Sequence, residues 1–130
     1  MKTSEKIRQR LKEKEVRFHS NDNIAEYIEK GEIEELQKEV EDSFSGVLDA
    51  LVIDTENDHN TKETARRVAK MYMQEIFAGR FVNPPKVTSF PNMGYRSLYT
   101  SGPISVKSTC AHHFQNIVGK CWVSILQNRK

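Results

Sequence analysis

Asn83-Pro84-Pro85 divides this chain into two kinds of sequence, and no continuous helix or strand can run through it. Proline lacks the amide that either element needs, and the residue before a proline is pushed out of the helical region. Before the break, apolar residues recur at three-and-four spacing. After it, they alternate. The expected fold is therefore α+β, helices first and then an antiparallel hairpin.

The helical half begins with about 20 mostly charged residues through which Ile7, Leu11, Val16 and Phe18 are spread thinly. A short amphipathic helix and a frayed segment both fit this stretch. Asn21-Asp22-Asn23 offers capping side chains ahead of Ile24, Tyr27 and Ile28, and Gly31 is a natural stop. A longer helix is expected from about Glu32 to Leu51. Ile33, Leu36, Val40, Phe44, Val47, Leu48 and Leu51 form its buried stripe. A polar connection, 54–60, leads to a third helix with Asn60/Glu63 or Thr61/Thr64 as caps. It should run through Val68, Ala69, Tyr72, Ile76 and Phe77 and end at Gly79. Arg66, Arg67 and Lys70 place positive charge near the start of that helix, where the dipole favours anions. Exposure accounts for Arg66 and Lys70, whereas Arg67 is also a candidate for a phosphate partner.

Beyond the prolines, Val87 to Phe90 reads as a short extended run, Pro91 to Gly94 as a turn, and Tyr95 to Thr100 as extended again. Ile104 and Val106 alternate with Ser105 and Lys107. From Lys120 to Leu126, Cys121, Val123 and Ile125 alternate with Trp122 and Ser124. A helical half followed by so few strands leaves a sheet edge that calls for a partner. The chain is thus expected to be part of a larger sheet, as a fragment or as a subunit completed by assembly.

Between these strands lies Ser108-Thr109-Cys110-Ala111-His112-His113, with Gly119-Lys120 shortly after. Cys110 and His113 have two residues between them, a spacing that lets a turn direct thiolate and imidazole to one zinc ion. A chance clustering in a loop fits the spacing as well. Cys121, which alternates with Val123 and Ile125, reads as a core thiol.

Charge and length narrow the functional classes. With 130 residues there is room for one domain with a real core. The 20 basic and 18 acidic side chains leave a net charge of +2, which argues against a nucleic-acid or membrane-surface role. No apolar run approaches the roughly 20 residues that span a bilayer. The N-terminus runs into charged sequence instead of an apolar signal. A cytoplasmic location is expected, where two cysteines serve more often as thiols, ligands or catalytic groups than as a disulfide.

Two motifs carry a resemblance to a known family. Ser108 to His113 with Gly119-Lys120 resembles the zinc-site signature of GTP cyclohydrolase I, S-x-C-E-H-H followed by a G-K strand. Glu63-Thr64-Ala65-Arg66-Arg67-Val68-Ala69-Lys70-Met71-Tyr72, with Glu75-Ile76-Phe77-Ala78-Gly79, is similar to that family's E-T-P-x-R-x-A-K-M-Y…E-I-F-x-G helix, and Pro85-Lys86-Val87-Thr88 to the strand after it. The likeness covers roughly residues 33 to 126. It implies a GTP cyclohydrolase I-like domain over 32–130, with 1–31 as a charged, helical N-terminal extension.

The resemblance further implies part of a tunnelling fold, with homo-oligomeric rings and active sites between subunits. The family reaction opens the guanine imidazole ring of GTP by zinc-dependent hydrolysis, releasing formate and giving dihydroneopterin triphosphate for folate, pterin or modified-base synthesis. By position, Cys110 and His113 would be zinc ligands, His112 the proton-handling catalytic residue, and Arg67 a triphosphate-binding residue. Two departures stand out: Ala111 replaces the usual Glu, and Ala65 the usual Pro. The family's third zinc ligand, its guanine-reading acid and further phosphate-binding residues belong to later segments, so the 130 residues alone are expected to be inactive. The alternatives are a non-catalytic truncated or split subunit that assembles with a companion chain, and a tunnelling-fold relative such as a deazaguanine reductase with a cysteine nucleophile.

Overall fold

The computed structural model describes residues 1–127, as two compact units, Met1–Pro84 and the chain from Pro85 onward. The α+β order read from the sequence is present. In the first unit, helix α1 (Thr3–Glu13) is followed by a single 3-10 turn (Ala25–Tyr27), α2 (Glu32–Ala50) and α3 (Thr64–Met71). The chain then passes through a π turn (Tyr72–Ile76) into a one-turn helix, α4 (Ala78–Phe81). In the second, β1 (Leu98–Thr109) and β2 (Asn116–Leu126) form an antiparallel hairpin.

The charged N-terminal stretch is a formed helix because its sparse apolar residues fall on one side. Ile7 and Leu11 are buried with Ile24, and Val16, Phe18, Tyr27, Ile28, Leu36 and Phe81 pack around them. The helix start is held from outside. Glu39 on α2 accepts from the Thr3 and Ser4 amides at 2.6 and 3.2 Å and from the Ser4 hydroxyl at 2.6 Å, and Thr3 Oγ1 donates to Glu35. Carboxylates thus satisfy amides that have no partner within the first turn of a helix.

The same helix is anchored again near its end. Arg10 forms a two-pronged pair with Glu32, both contacts at 2.9 Å, and donates to the Tyr27 carbonyl at 2.5 Å. The Arg10 hydrogen bonds outweigh burial and, helped by the Glu29 amide and by the Arg10 and Lys6 charges, hold the Glu32 carboxyl below its ordinary value of 4.5. A depressed carboxyl contributes stability that is complete above its unfolded pKa and is lost as pH falls through the folded one. The first unit should therefore lose stability on acidification from about pH 4.5 downward. Glu32→Gln should cost about 2 kcal/mol at neutral pH, the scale of a hydrogen bond to a charged group. It should also flatten this acid limb. Thermal melts of the two proteins at pH 7 and pH 4 check both; an unchanged acid limb would show that Glu32 is not its source.

Several expected boundaries shift. Asn23 caps no helix: its Oδ1 accepts from the Ala25 amide at 2.9 Å, a local turn just ahead of a single 3-10 turn whose cap position is Ile24. Gly31, at φ 89°, ends this segment and leads directly into α2. Ile33, Leu36, Val40, Phe44 and Leu48 are half-buried, whereas Val47 and Leu51, placed in the stripe by spacing, are exposed at the margin of a single packed face.

The third helix gains no side-chain cap. Thr61 Oγ1 donates to the Asp54 and Asp58 carbonyls and Thr64 Oγ1 to Asn60, so these hydroxyls close the 54–63 turns instead. Nor does Gly79 end the helical run. The chain makes one further turn to Phe81, which packs on the Ile7–Leu11–Ile24 cluster, and the prolines stop it. The π turn lies where Tyr72 packs between Phe44 and Phe77, with ring centroids 5.1 and 5.8 Å away.

In the second unit, residues 85–97 contain no strand, so the extended run at Val87–Phe90 is irregular. The expected turn at Pro91–Gly94 is closed by Asn92, whose Oδ1 accepts from the Gly94 and Tyr95 amides. Both strands are longer than alternation alone implies. Gly102 and Pro103 together oppose Trp122, a bulge that interrupts the register between Ser101 and Ile104. A Cβ on Gly102 would lie 2.4 Å from Trp122 Cδ1, so the indole occupies space that only glycine leaves.

Pairing of Tyr99 with Ile125, Ser101 with Val123 and Ile104 with Cys121 puts Tyr99, Ile104, Cys121, Val123 and Ile125 on one face. That face is not a closed core. Ile104, Val123 and Ile125 are 42%, 45% and 51% exposed, and the Cys121 thiol is half-buried instead of fully buried. Two strands cannot cover their own faces, and the hairpin is the one regular element of this unit among the described residues.

Candidate metal centre

The chemistry-bearing residues occupy the turn between β1 and β2. Cys110 is the first residue after β1, and its own peptide groups close the turn at both levels. The Cys110 amide donates to the Gln115 carbonyl at 2.8 Å, and the Cys110 carbonyl accepts from the Phe114 amide at 2.8 Å. The second bond makes residues 110–114 a single α-type turn, and Phe114 reverses the chain at φ 54°. Cys110 and His113 stand three positions apart within this turn.

The Cys110 side chain is half-buried and free of a disulfide. Both imidazoles are exposed, with ring centroids 4.3 Å apart and planes at 70°. Thiolate and imidazole are the donors zinc prefers, so the chemical type of the set fits that ion. Its number does not complete a site: no cluster of three or more His, Cys, Asp or Glu side chains suited to a metal is present among the described residues.

Arg67 lies on α3, in the first unit. Its guanidinium is exposed, and Nη2 donates to the Asn60 carbonyl at 2.7 Å and to Thr64 Oγ1 at 3.2 Å. Its neighbour Arg66 is paired with Glu63 at 3.3 Å. Arg67 is thus tethered to the polar turn before its helix, with most of its fork toward solvent. Sequence pattern does not reveal this tether, since a carbonyl acceptor seven residues away leaves no mark in composition or period.

The stretch holding both motifs has a recognisable ancestry. Residues 40–130 match the family model described as GTP cyclohydrolase I. The chain belongs to the GTP cyclohydrolase I family. Curated relatives agree. The chain is 35% identical over 99 residues to GTP cyclohydrolase 1 of Shewanella baltica (strain OS185), an alignment covering 75% of this chain and 45% of that protein. The GTP cyclohydrolase 1 of Aliivibrio salmonicida is likewise 35% identical over 99 residues, and that of Shewanella amazonensis 36%. The chain spans about half the length of these relatives, 45% in each case. Its α+β arrangement is consistent with part of the tunnelling fold of GTP cyclohydrolase I. Among the described residues, no helix is long and apolar enough to cross a membrane.

Proposed function

We propose that this GTP cyclohydrolase I family member acts in zinc-dependent hydrolytic opening of the guanine imidazole ring of GTP, giving formate and 7,8-dihydroneopterin triphosphate. The observation that carries this reading is the Cys110–His113 turn, set within the stretch that matches the family. Cys110 and His113 would hold zinc through thiolate and imidazole. The bound ion would supply Lewis-acid activation of water near neutral pH. The hydrogen bonds of the Cys110 peptide groups fix where these two side chains leave the backbone.

His112 is the proton carrier in this scheme. Its ring is exposed beside His113, an imidazole can both accept and donate a proton, and the purine nitrogens are its substrate atoms. Arg67 binds triphosphate oxygens through the part of its planar fork that the Asn60 tether leaves free. A third metal donor would join Cys110 and His113 on assembly, and the exposed apolar face of the hairpin favours a homo-oligomer in which subunits share sheets. Residues 32–130 form the GTP cyclohydrolase I-like domain in this reading, and 1–31 its extension. The protein works in the cytoplasm, and its product serves folate, pterin or modified-base synthesis.

The test is GTP turnover by the protein in its native assembly, followed as formate release and as pterin fluorescence after oxidation. Both signals should appear, vanish on chelation and return with added zinc. Stable oligomers that take up no zinc and release no formate would replace this reading with that of a non-catalytic assembly subunit.

A further inference from the structure

Helix α4 is a single turn, and a single turn does not support itself. Helix nucleation is unfavourable by roughly a factor of 10³, and four residues cannot recover that cost through propagation. The stabilisation comes instead from residues 18–24. Asn23 Nδ2 donates to the carbonyls of Gly79 at 2.8 Å and Val82 at 2.7 Å, capping the end of α4 from more than 50 positions away in sequence. The Ile24 amide donates to the Arg80 carbonyl at 2.8 Å. Arg80 answers in the other direction. Its Nη1 donates to the His19 and Asp22 carbonyls at 2.5 and 3.0 Å, and its Nη2 to that of Phe18 at 3.1 Å.

The lock is reciprocal. The loop supplies donors to the free carbonyls of α4, and α4 supplies a guanidinium to the free carbonyls of the loop. The Asp22 carboxylate is taken by Arg17, at 2.9 and 2.6 Å, so Arg80 meets peptide oxygens in place of a paired acid. Burial accordingly lowers the Arg80 pKa from its ordinary value, with the Asp22 charge opposing and Arg8 adding to the effect.

We propose that residues 18–24 act as a strap that determines whether α4 is folded, with Asn23 and Arg80 as its two fasteners. The segment it orders runs into Pro84-Pro85, where the hairpin unit begins. Anything that engages residues 18–24, a cut or a bound partner, therefore acts on α4. The inference is independent of the reaction the protein catalyses.

Amide hydrogen exchange on the full chain tests it. In Asn23→Ala and in Arg80→Ala, the Arg80, Val82 and Ile24 amides should exchange together at least tenfold faster, while α3 amides stay within twofold of wild type. Asn23→Asp separates the strap from the local turn that Asn23 makes with Ala25. A carboxylate oxygen still accepts from the Ala25 amide but can no longer donate to Gly79 or Val82. It should open α4 and leave Ala25–Tyr27 protected. Wild-type protection of residues 78–82 in these variants would overturn the proposal, as would an equal loss of protection throughout the first unit.

Discussion

If the proposed zinc centre is right, replacing Cys110 by alanine should strip the protein of zinc and lower GTP turnover by at least about 10³-fold. The magnitude follows from removing Lewis-acid stabilisation worth several kcal/mol, at about 1.4 kcal/mol per tenfold. The fold should survive, because the bonds that close the turn belong to the Cys110 peptide groups and not to its thiol. His113→Ala should behave alike. His112→Gln should differ in kind. Zinc content stays near wild type while turnover falls by about 10² to 10⁴-fold, the usual contribution of a proton-transferring side chain. Metal analysis of the three purified variants, beside formate release, distinguishes ligand from proton carrier. Loss of zinc from His112→Gln would reverse the assignments of the two histidines. Full zinc content in Cys110→Ala would remove the metal centre from this turn.

These residues are conspicuous in the sequence because the chemistry is consecutive: one thiol and two imidazoles within four positions. What composition cannot contain is the turn that presents them, which depends on Gln115 and Phe114 meeting Cys110 across a reversal. Helix α2 is legible for a similar reason, since three-and-four spacing is a local signal and Gly31 marks its start. The differences between expectation and structure share a cause. Asn23 reads as a capping residue, but half of its work is done on α4, some 56 residues on. Gly79 reads as a stop because glycine often is one. Here Phe81 packs on the Ile7–Leu11–Ile24 cluster and Asn23 and Arg80 fasten the turn to residues 18–24, tertiary contacts overriding a local preference. Cys121 alternates like a core residue, yet alternation specifies only which face a side chain shares, and a two-stranded sheet leaves that face in contact with water.

Leu11→Ala should be the most damaging single core substitution in the first unit, costing about 3 kcal/mol within the 2–5 kcal/mol usual for such truncations. Leu11 is 1% exposed, the one large side chain buried this completely among the described residues. The cluster around it is small, so the cost should fall short of the upper limit, because half-buried neighbours such as Val16 and Phe18 can relax toward the vacancy. For a unit of this size the melting temperature should drop by roughly 12–24 °C. The manner of the loss is the sharper expectation. Three of the five buried apolar side chains, Ile7, Leu11 and Ile24, lie before Gly31. An N-terminal segment that supplies most of a unit's core cannot melt away and leave the rest standing. Circular dichroism of Leu11→Ala should therefore show one helical transition moved to lower temperature. A separate early loss of α1 signal, with α2 and α3 melting as in wild type, would show instead that the segment is an appendage and that the core lies between α2 and α3.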